Sequence, residues 1–277
     1  MAPTVYFFTE GQLGNNLFQY FAAELIKKIY GYEEAKITLT INLEFNLVID
    51  DEKFKTIITR YMEGNPVPLD TTRDILLMGF FQRSEIFEYE RDYLLSLWNS
   101  DNTHYVNRNV QIKNIVNYQT KHTMEPTPRD LTLHLRLGDF ATTGVLTQNA
   151  PTSQIYDPAY LKALIQSIPH ERLFIVHQKP KEDWEKEYEQ HFDELNPIWI
   201  HGNLGDDFDF LMRSPTLITS ASTLCWMAAF LGKGTSIHIP YNHAHGGKEG
   251  TGQNLDEYSL DCKVYYDVPT YTNACKS

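Results

Sequence analysis

From Leu131 to Pro240 short apolar runs alternate with stretches of helical spacing, and that alternation restricts the possible folds more than any other feature. Leu131–Leu137 puts Leu131, Leu133, Leu135 and Leu137 on one side and Thr132, His134 and Arg136 on the other, the period-two pattern of a strand. Asp157 and Pro158 provide an N-cap and a first-turn proline for a helix to about Ser167. Leu173–His177 reads as a buried strand, Lys181–Phe192 as a charged helix and Pro197–Ile200 as a strand. Asp206–Met212 follows as a short helix and Leu217–Thr219 as a strand. A helix from about Thr223 to Leu231 stops at Gly232, and Ser236–Pro240 is a last strand. Strands that alternate with helices are joined by right-handed crossovers and pair in parallel.

The N-terminal half opens the same way. Val5–Phe8 is a short strand, Gly11 and Gly14 mark a turn, and Leu17, Phe18, Phe21, Ala22, Leu25, Ile26 and Ile29 form one helical stripe. Between 36 and 100 the pattern is weaker, with strands expected at Ile37–Leu43 and Leu76–Phe81 and a helix at Tyr89–Trp98. The polar, proline-containing stretch Gln119–Asp130 reads as a linker. The expected architecture is therefore α/β: a Rossmann-like domain over 1–125 and a second over 126–277, facing a cleft.

Composition narrows the partners. With 24 basic and 36 acidic residues the formal net charge is −12, which argues against a nucleic-acid polymer as main partner, because phosphate backbones need clustered Lys and Arg. No apolar run approaches the roughly 18–20 residues that span a bilayer. The N-terminus shows neither the basic nor the long apolar region of a secretory leader. Cys225, Cys262 and Cys275 are too few and too widely spaced for a disulfide framework or a zinc site. A protein of a reducing compartment is expected.

Five segments offer chemistry. Gly11-Gln12-Leu13-Gly14-Asn15-Asn16 joins a strand to a helix, where glycines admit a ligand to the backbone and the helix N-terminus favours an anion, although a plain tight turn explains it equally. His134 and Arg136 share one face of their strand, ~6.6 Å apart at ~3.3 Å per residue. Gly138-Asp139 follows at the end of the strand where open α/β sheets bind ligands. A guanidinium there suits a pyrophosphate; an Arg–Asp pair on the sheet rim is the structural alternative. Ser220-Ala221-Ser222-Thr223 precedes a helix and either binds an anion or caps the helix. Asp206, Asp207 and Asp209 contain an Asp-x-Asp, which holds Mg²⁺ or Mn²⁺ in some transferases, yet acids at a helix start also complement its dipole. His243, His245 and Lys248 sit in a glycine-rich stretch that reads as a loop, from which Lys248 would reach a phosphate.

Together these segments resemble the α-1,2-fucosyltransferase family and the wider superfamily of GDP-fucose-dependent enzymes. Gly11–Tyr20, GQLGNNLFQY, is similar to the family's G-G-L-G-N-Q-x-F-Q-Y, and Gly79–Phe87, GFFQRSEIF, to its G-Y-F-Q-S-x-x-Y-F. His134–Asp139, HLRLGD, resembles H-x-R-R-G-D. Asp207–Met212 resembles D-x-x-x-L-M, and Ser222–Leu231, STLCWMAAFL, resembles S-T-F-S-W-W-A-A-x-L. Order and spacing match along almost the whole chain. The resemblance implies a GT-B fold and an inverting, metal-independent transfer of L-fucose from GDP-fucose to a glycan hydroxyl, with no cofactor. It implies that Arg136 holds the β-phosphate, that His134 and Asp139 shape the donor pocket, and that Ser222 and Thr223 bind the diphosphate. Gly11, Gly14 and Asn15 would line the donor site, with Asn15 near the reacting carbon and Asp139 a candidate base. Golgi relatives carry a membrane anchor that this chain lacks, so a cytoplasmic, bacterial-like or viral enzyme is expected.

Two departures stand out. Leu137 replaces the second Arg of H-x-R-R-G-D, and Asn16 replaces the Gln of G-N-Q. Leu224, Cys225 and Met227 likewise loosen the S-T-F-S-W-W segment. The alternatives are a different donor, such as another GDP-sugar or a UDP-pentose, or a sugar-binding protein without turnover on the same fold.

Overall fold

The computed structural model describes residues 2–38, 45, 47–99, 105–107, 110–111, 124–138, 155–240, 261–265, 268–269 and 271. They fall into two compact units, one from the first 114 positions and one from residue 124 onward.

The first unit is built on a parallel sheet of order β2-β1-β4-β3. Strand β1 (Thr4–Phe8) leads into α1 (Leu13–Tyr30), whose apolar stripe is buried from Leu17 to Ile26. Gly31 ends α1 in the left-handed region at φ 72°, and its N–H donates to the Lys27 carbonyl. The chain continues through β2 (Glu34–Thr38) and β3 (Val48–Ile49) to α2 (Asp51–Met62). Helix α2 was not expected from the sequence, although its signal is present: Asp50 accepts from the Lys53 N–H as N-cap, and Phe54, Ile57 and Ile58 form the buried face. The expected strand Leu76–Phe81 is shorter, β4 (Ile75–Leu77), because the chain turns at Gly79 and Phe81 takes φ 54°. The expected helix Tyr89–Trp98 is found as α4 (Arg91–Asn99), and a further short helix, α3 (Ser84–Tyr89), precedes it. A small antiparallel pair, β5 (Tyr105–Asn107) and β6 (Val110–Gln111), completes the unit.

The second unit holds a parallel sheet of order β12-β11-β10-β7-β8-β9. Its strands are β7 (Asp130–His134), β8 (Arg172–Val176), β9 (Ile198–Ile200), β10 (Thr216–Ile218), β11 (Ser236–Pro240) and β12 (Asp261–Tyr265). The helices are α5 (Pro158–Ser167), α6 (Asp183–Gln190), α7 (Leu204–Arg213) and α8 (Thr223–Leu231). Asp157 caps α5 as expected, accepting from Ala159 and Tyr160 N–H groups, while α7 is capped by Asn203. Strand β12 was missed although Asp261, Cys262, Lys263 and Val264 alternate polar with apolar, because the run is only five residues long.

The tail of the expected linker is not free chain. Asp130, the first residue of β7, accepts from the Thr127 N–H and hydroxyl and pairs with Arg172 at 2.6 Å. The strand itself departs from the two-faced pattern. All five residues of β7 are buried, Thr132 and His134 with the leucines, since a central parallel strand is covered on both faces.

Leu135 and Leu137 lie in the core with Leu131, Leu133, Leu161 and Tyr188. Position 137 is thus committed to packing. Leu137→Arg is expected to bury an unpaired charge and cost about 3–5 kcal/mol, lowering the thermal midpoint of unfolding by several degrees. An unchanged midpoint would place residue 137 outside the core.

Candidate functional site

Each sheet has one place where the direction of winding reverses. In the first, the chain passes from β1 to β2 on one side and returns to β4 on the other. In the second, β8 and β9 lie to one side of β7, and β10, β11 and β12 to the other. Right-handed crossovers then leave a crevice at the carboxyl ends of β1 and β4, and another at those of β7 and β10.

In the first unit the two expected motifs meet at that point. Asn15 Oδ1 accepts from Gln82 Nε2 at 2.9 Å, and Gln19 Nε2 donates to the Gly79 carbonyl at 3.0 Å. Gly11 sits at φ 74°, and a Cβ there would lie 2.2 Å from Asn15 Nδ2, so this turn requires glycine. Gly14 is buried in the first turn of α1. The Gly79–Phe81 turn is held by Asp51, whose carboxylate accepts from the Phe80 and Phe81 N–H groups at 3.2 and 2.6 Å. Gln82 and Asp51 were not singled out from the sequence. Gln82 lies within the segment Gly79–Phe87 quoted for the resemblance, and Asp51 follows the Asp50 N-cap at the start of α2.

In the second unit His134 ends β7 and hydrogen-bonds through Nδ1 to Ser220 Oγ at 2.6 Å, joining the ends of β7 and β10. Burial first, then Arg136 and His177, hold the His134 imidazole neutral with its pKa lowered to about 3. His134 therefore shapes the site without adding charge. The cation is Arg136, half-buried two residues beyond His134. Gly138, at φ 65°, turns the chain out of the strand.

Across the crevice Ser222 occupies the N-cap position of α8, but its side chain makes no cap hydrogen bond. The helix-capping account of Ser222 therefore fails. The first turn of α8 carries no acidic residue of its own. Thr219, buried just ahead of Ser220, has a hydroxyl without a hydrogen-bond partner among the described residues. Ser220 is the member of this cluster that the resemblance did not point to.

The acids of α7 are engaged otherwise than in a metal site. Asp207 accepts from the Gly202 N–H at 2.9 Å, Asp206 from Asn203 Nδ2 at 2.7 Å, and Asp209 pairs with Arg213 at 2.9 Å. Burial, reinforced by Asp206, pushes the Asp207 carboxyl up to about 7 against the Gly202 hydrogen bond, which makes it a poor ligand for a hard cation near neutrality.

The expected residues thus divide between the units. Gly11, Gly14 and Asn15 belong to the first, and His134, Arg136, Ser222 and Thr223 to the second. Asp139, His243, His245 and Lys248 lie outside the described residues.

No family model matches the chain, and no curated protein does. Among solved structures it is similar to the plant fucosyltransferase FUT1 of Arabidopsis thaliana in complex with GDP. That match has 10% identity and a TM-score of 0.44, over 86% of this chain and 70% of that one. It is also similar to the E. coli heptosyltransferase WaaC with ADP, at 11% identity and a TM-score of 0.40, over 99% and 98% of the two chains. A third is TibC, an iron-containing dodecameric glycosyltransferase of enterotoxigenic E. coli, at 11% identity and a TM-score of 0.38; the chain spans 62% of its length. Likenesses this distant do not carry a donor, an acceptor or a linkage to the present chain. Among the described residues no helix is long and apolar enough to cross a membrane.

The raised Asp207 carboxyl gives a pH test. Below about pH 4 the group is protonated in both states and contributes nothing. Between about 4 and 7 the unfolded chain loses its proton first, so stability falls as pH rises. Asp207→Asn keeps an acceptor for Gly202 and removes this penalty. Its thermal midpoint should match that of the natural chain near pH 4 and exceed it by several degrees at pH 8, a stability difference on the order of 4 kcal/mol for a carboxyl raised from 3.8 to about 7. Equal midpoints at pH 8 would contradict the assignment.

Proposed function

We propose that the chain is an inverting, metal-independent glycosyltransferase of the GT-B kind, moving L-fucose from GDP-fucose to a glycan hydroxyl in α-1,2 linkage. One observation carries this reading. Four of the five segments that resemble the fucosyltransferase family fall just past β1, β4, β7 and β10, the four strands that bound the two winding reversals.

In this reading the second unit holds the donor. Arg136 meets the diphosphate charge that grows as GDP leaves, and the N-terminus of α8 with the Ser222 hydroxyl and the Thr223 N–H shares it. His134, neutral and fixed by Ser220, sets the pocket wall, and no metal is required to neutralise the leaving group. The acceptor hydroxyl attacks the anomeric carbon from the face opposite the phosphate. The carbon–oxygen bond to the β-phosphate breaks, and the hydroxyl proton passes to a base, for which Asp139 is the candidate. The first unit is the acceptor side, and within it Asn15 is held by Gln82.

The buried Leu137 favours one competitor, a different nucleotide sugar on the same scaffold, since the second arginine of the resembled motif has no counterpart here. Calorimetry with GDP, UDP and their sugars, paired with turnover by the natural chain and Arg136→Ala, separates the readings. GDP-fucose should bind and turn over without added Mg²⁺ or Mn²⁺, and Arg136→Ala should lose about 10²–10³ in turnover at an unchanged thermal midpoint. Turnover of a UDP-sugar alone would replace the donor. Near-normal turnover by Arg136→Ala would refute the phosphate role.

A further inference from the structure

One cluster at the carboxyl edge of the second sheet takes no part in the donor reading. His177 directly follows β8 and His201 directly follows β9, and the pairing of Val176 with Ile200 sets the two histidines side by side. The backbone ties them further, since the His177 N–H donates to the Ile200 carbonyl at 3.2 Å. Glu189, in the last turn of α6, reaches into the same place. Its Oε1 lies 2.6 Å from His177 Nε2 and 3.3 Å from His201 Nε2. All three ligating atoms fall within 4.8 Å of one another, and no other group of this kind occurs among the described residues.

The surroundings are those of a metal centre rather than of a surface ion pair. The His177 side chain is 2% exposed, Glu189 20% and His201 25%, so one ligand is buried and the site opens towards solvent through the other two. The backbone of Gln178 hydrogen-bonds the His177 ring, an outer contact that fixes a ligating imidazole. Trp199 stands edge-on to both imidazoles, with centroids 5.5 and 6.0 Å away, and forms an apolar wall. Asp193 and Glu185 lie close enough to act on Glu189 and add negative potential, which Lys179 partly offsets at His201. Two imidazole nitrogens and one carboxylate, with a fourth position open to water, form a donor set suited to Zn²⁺ and its neighbours in the transition series. It is not suited to the all-oxygen ions Mg²⁺ and Ca²⁺.

We infer that His177, Glu189 and His201 form a binding site for a divalent transition metal of the zinc class, which clasps the ends of β8 and β9 to α6. The site is separate from the acids of α7 and does not depend on the identity of the donor.

The test uses the full chain, stripped with chelator and titrated with Zn²⁺ by calorimetry and with Co²⁺ by absorption spectroscopy. One equivalent of Zn²⁺ should bind and raise the thermal midpoint, and Co²⁺ should give the intense visible bands of a four-coordinate centre. His201→Ala removes a part-exposed ligand with little risk to folding, and Glu189→Gln keeps the shape of the third. Each should weaken Zn²⁺ by at least about 10–100-fold, the loss typical of supporting groups alone, and abolish the Co²⁺ bands. Zn²⁺ binding that survives in both variants at the natural affinity would place the metal elsewhere and overturn the inference. Failure of the natural chain to bind Zn²⁺, with its midpoint unmoved, would overturn it equally.

Discussion

The hydrogen bond between His134 and Ser220 joins the two strand ends at which the second sheet reverses its winding, and the arrangement of the candidate site depends on it. At 2.6 Å and out of water, it fixes the first residue of the crevice from the β7 side against the loop that leaves β10. Arg136 then emerges two residues later, and Ser222 opens α8 two residues after Ser220. The ladder between β7 and β10 sets the two strands side by side, about 4.8 Å apart, and this bond fixes the His134 ring against the loop that carries Ser222.

Burial divides labour at this site. A histidine kept neutral by its surroundings supplies geometry, and an arginine supplies the field. This reconciles a chain of formal charge −12 with an anionic ligand. The protein's overall sign argues against a polyanion such as nucleic acid, whereas the proposed reading sets one guanidinium and one helix N-terminus against a single diphosphate. The acids nearest in kind to a metal-binding motif are taken up by Gly202, Asn203 and Arg213.

Much of the second sheet was legible because its strands and helices alternate in the sequence and its breaks carry explicit signals, such as Asp157-Pro158 and Gly232. The first unit was less so. Strand β3, of two residues, falls below the length at which a period can be seen, and α2 has only three buried positions. Alternation misled in one respect. Leu131–Leu137 looks two-faced, but a central parallel strand buries its polar side too, so His134 is an interior residue. Contacts between strand ends escape single-sequence reasoning altogether: nothing local relates Asn15 to Gln82, His134 to Ser220, or His177 to His201.

The central claim is that the ligand binds at the carboxyl ends of β7 and β10. Hydrogen exchange with and without GDP-fucose measures this directly, amide by amide. The account predicts added protection confined, within the second unit, to residues 135–138 and 219–225. Protection absent from both segments, or found only away from these strand ends, would contradict it.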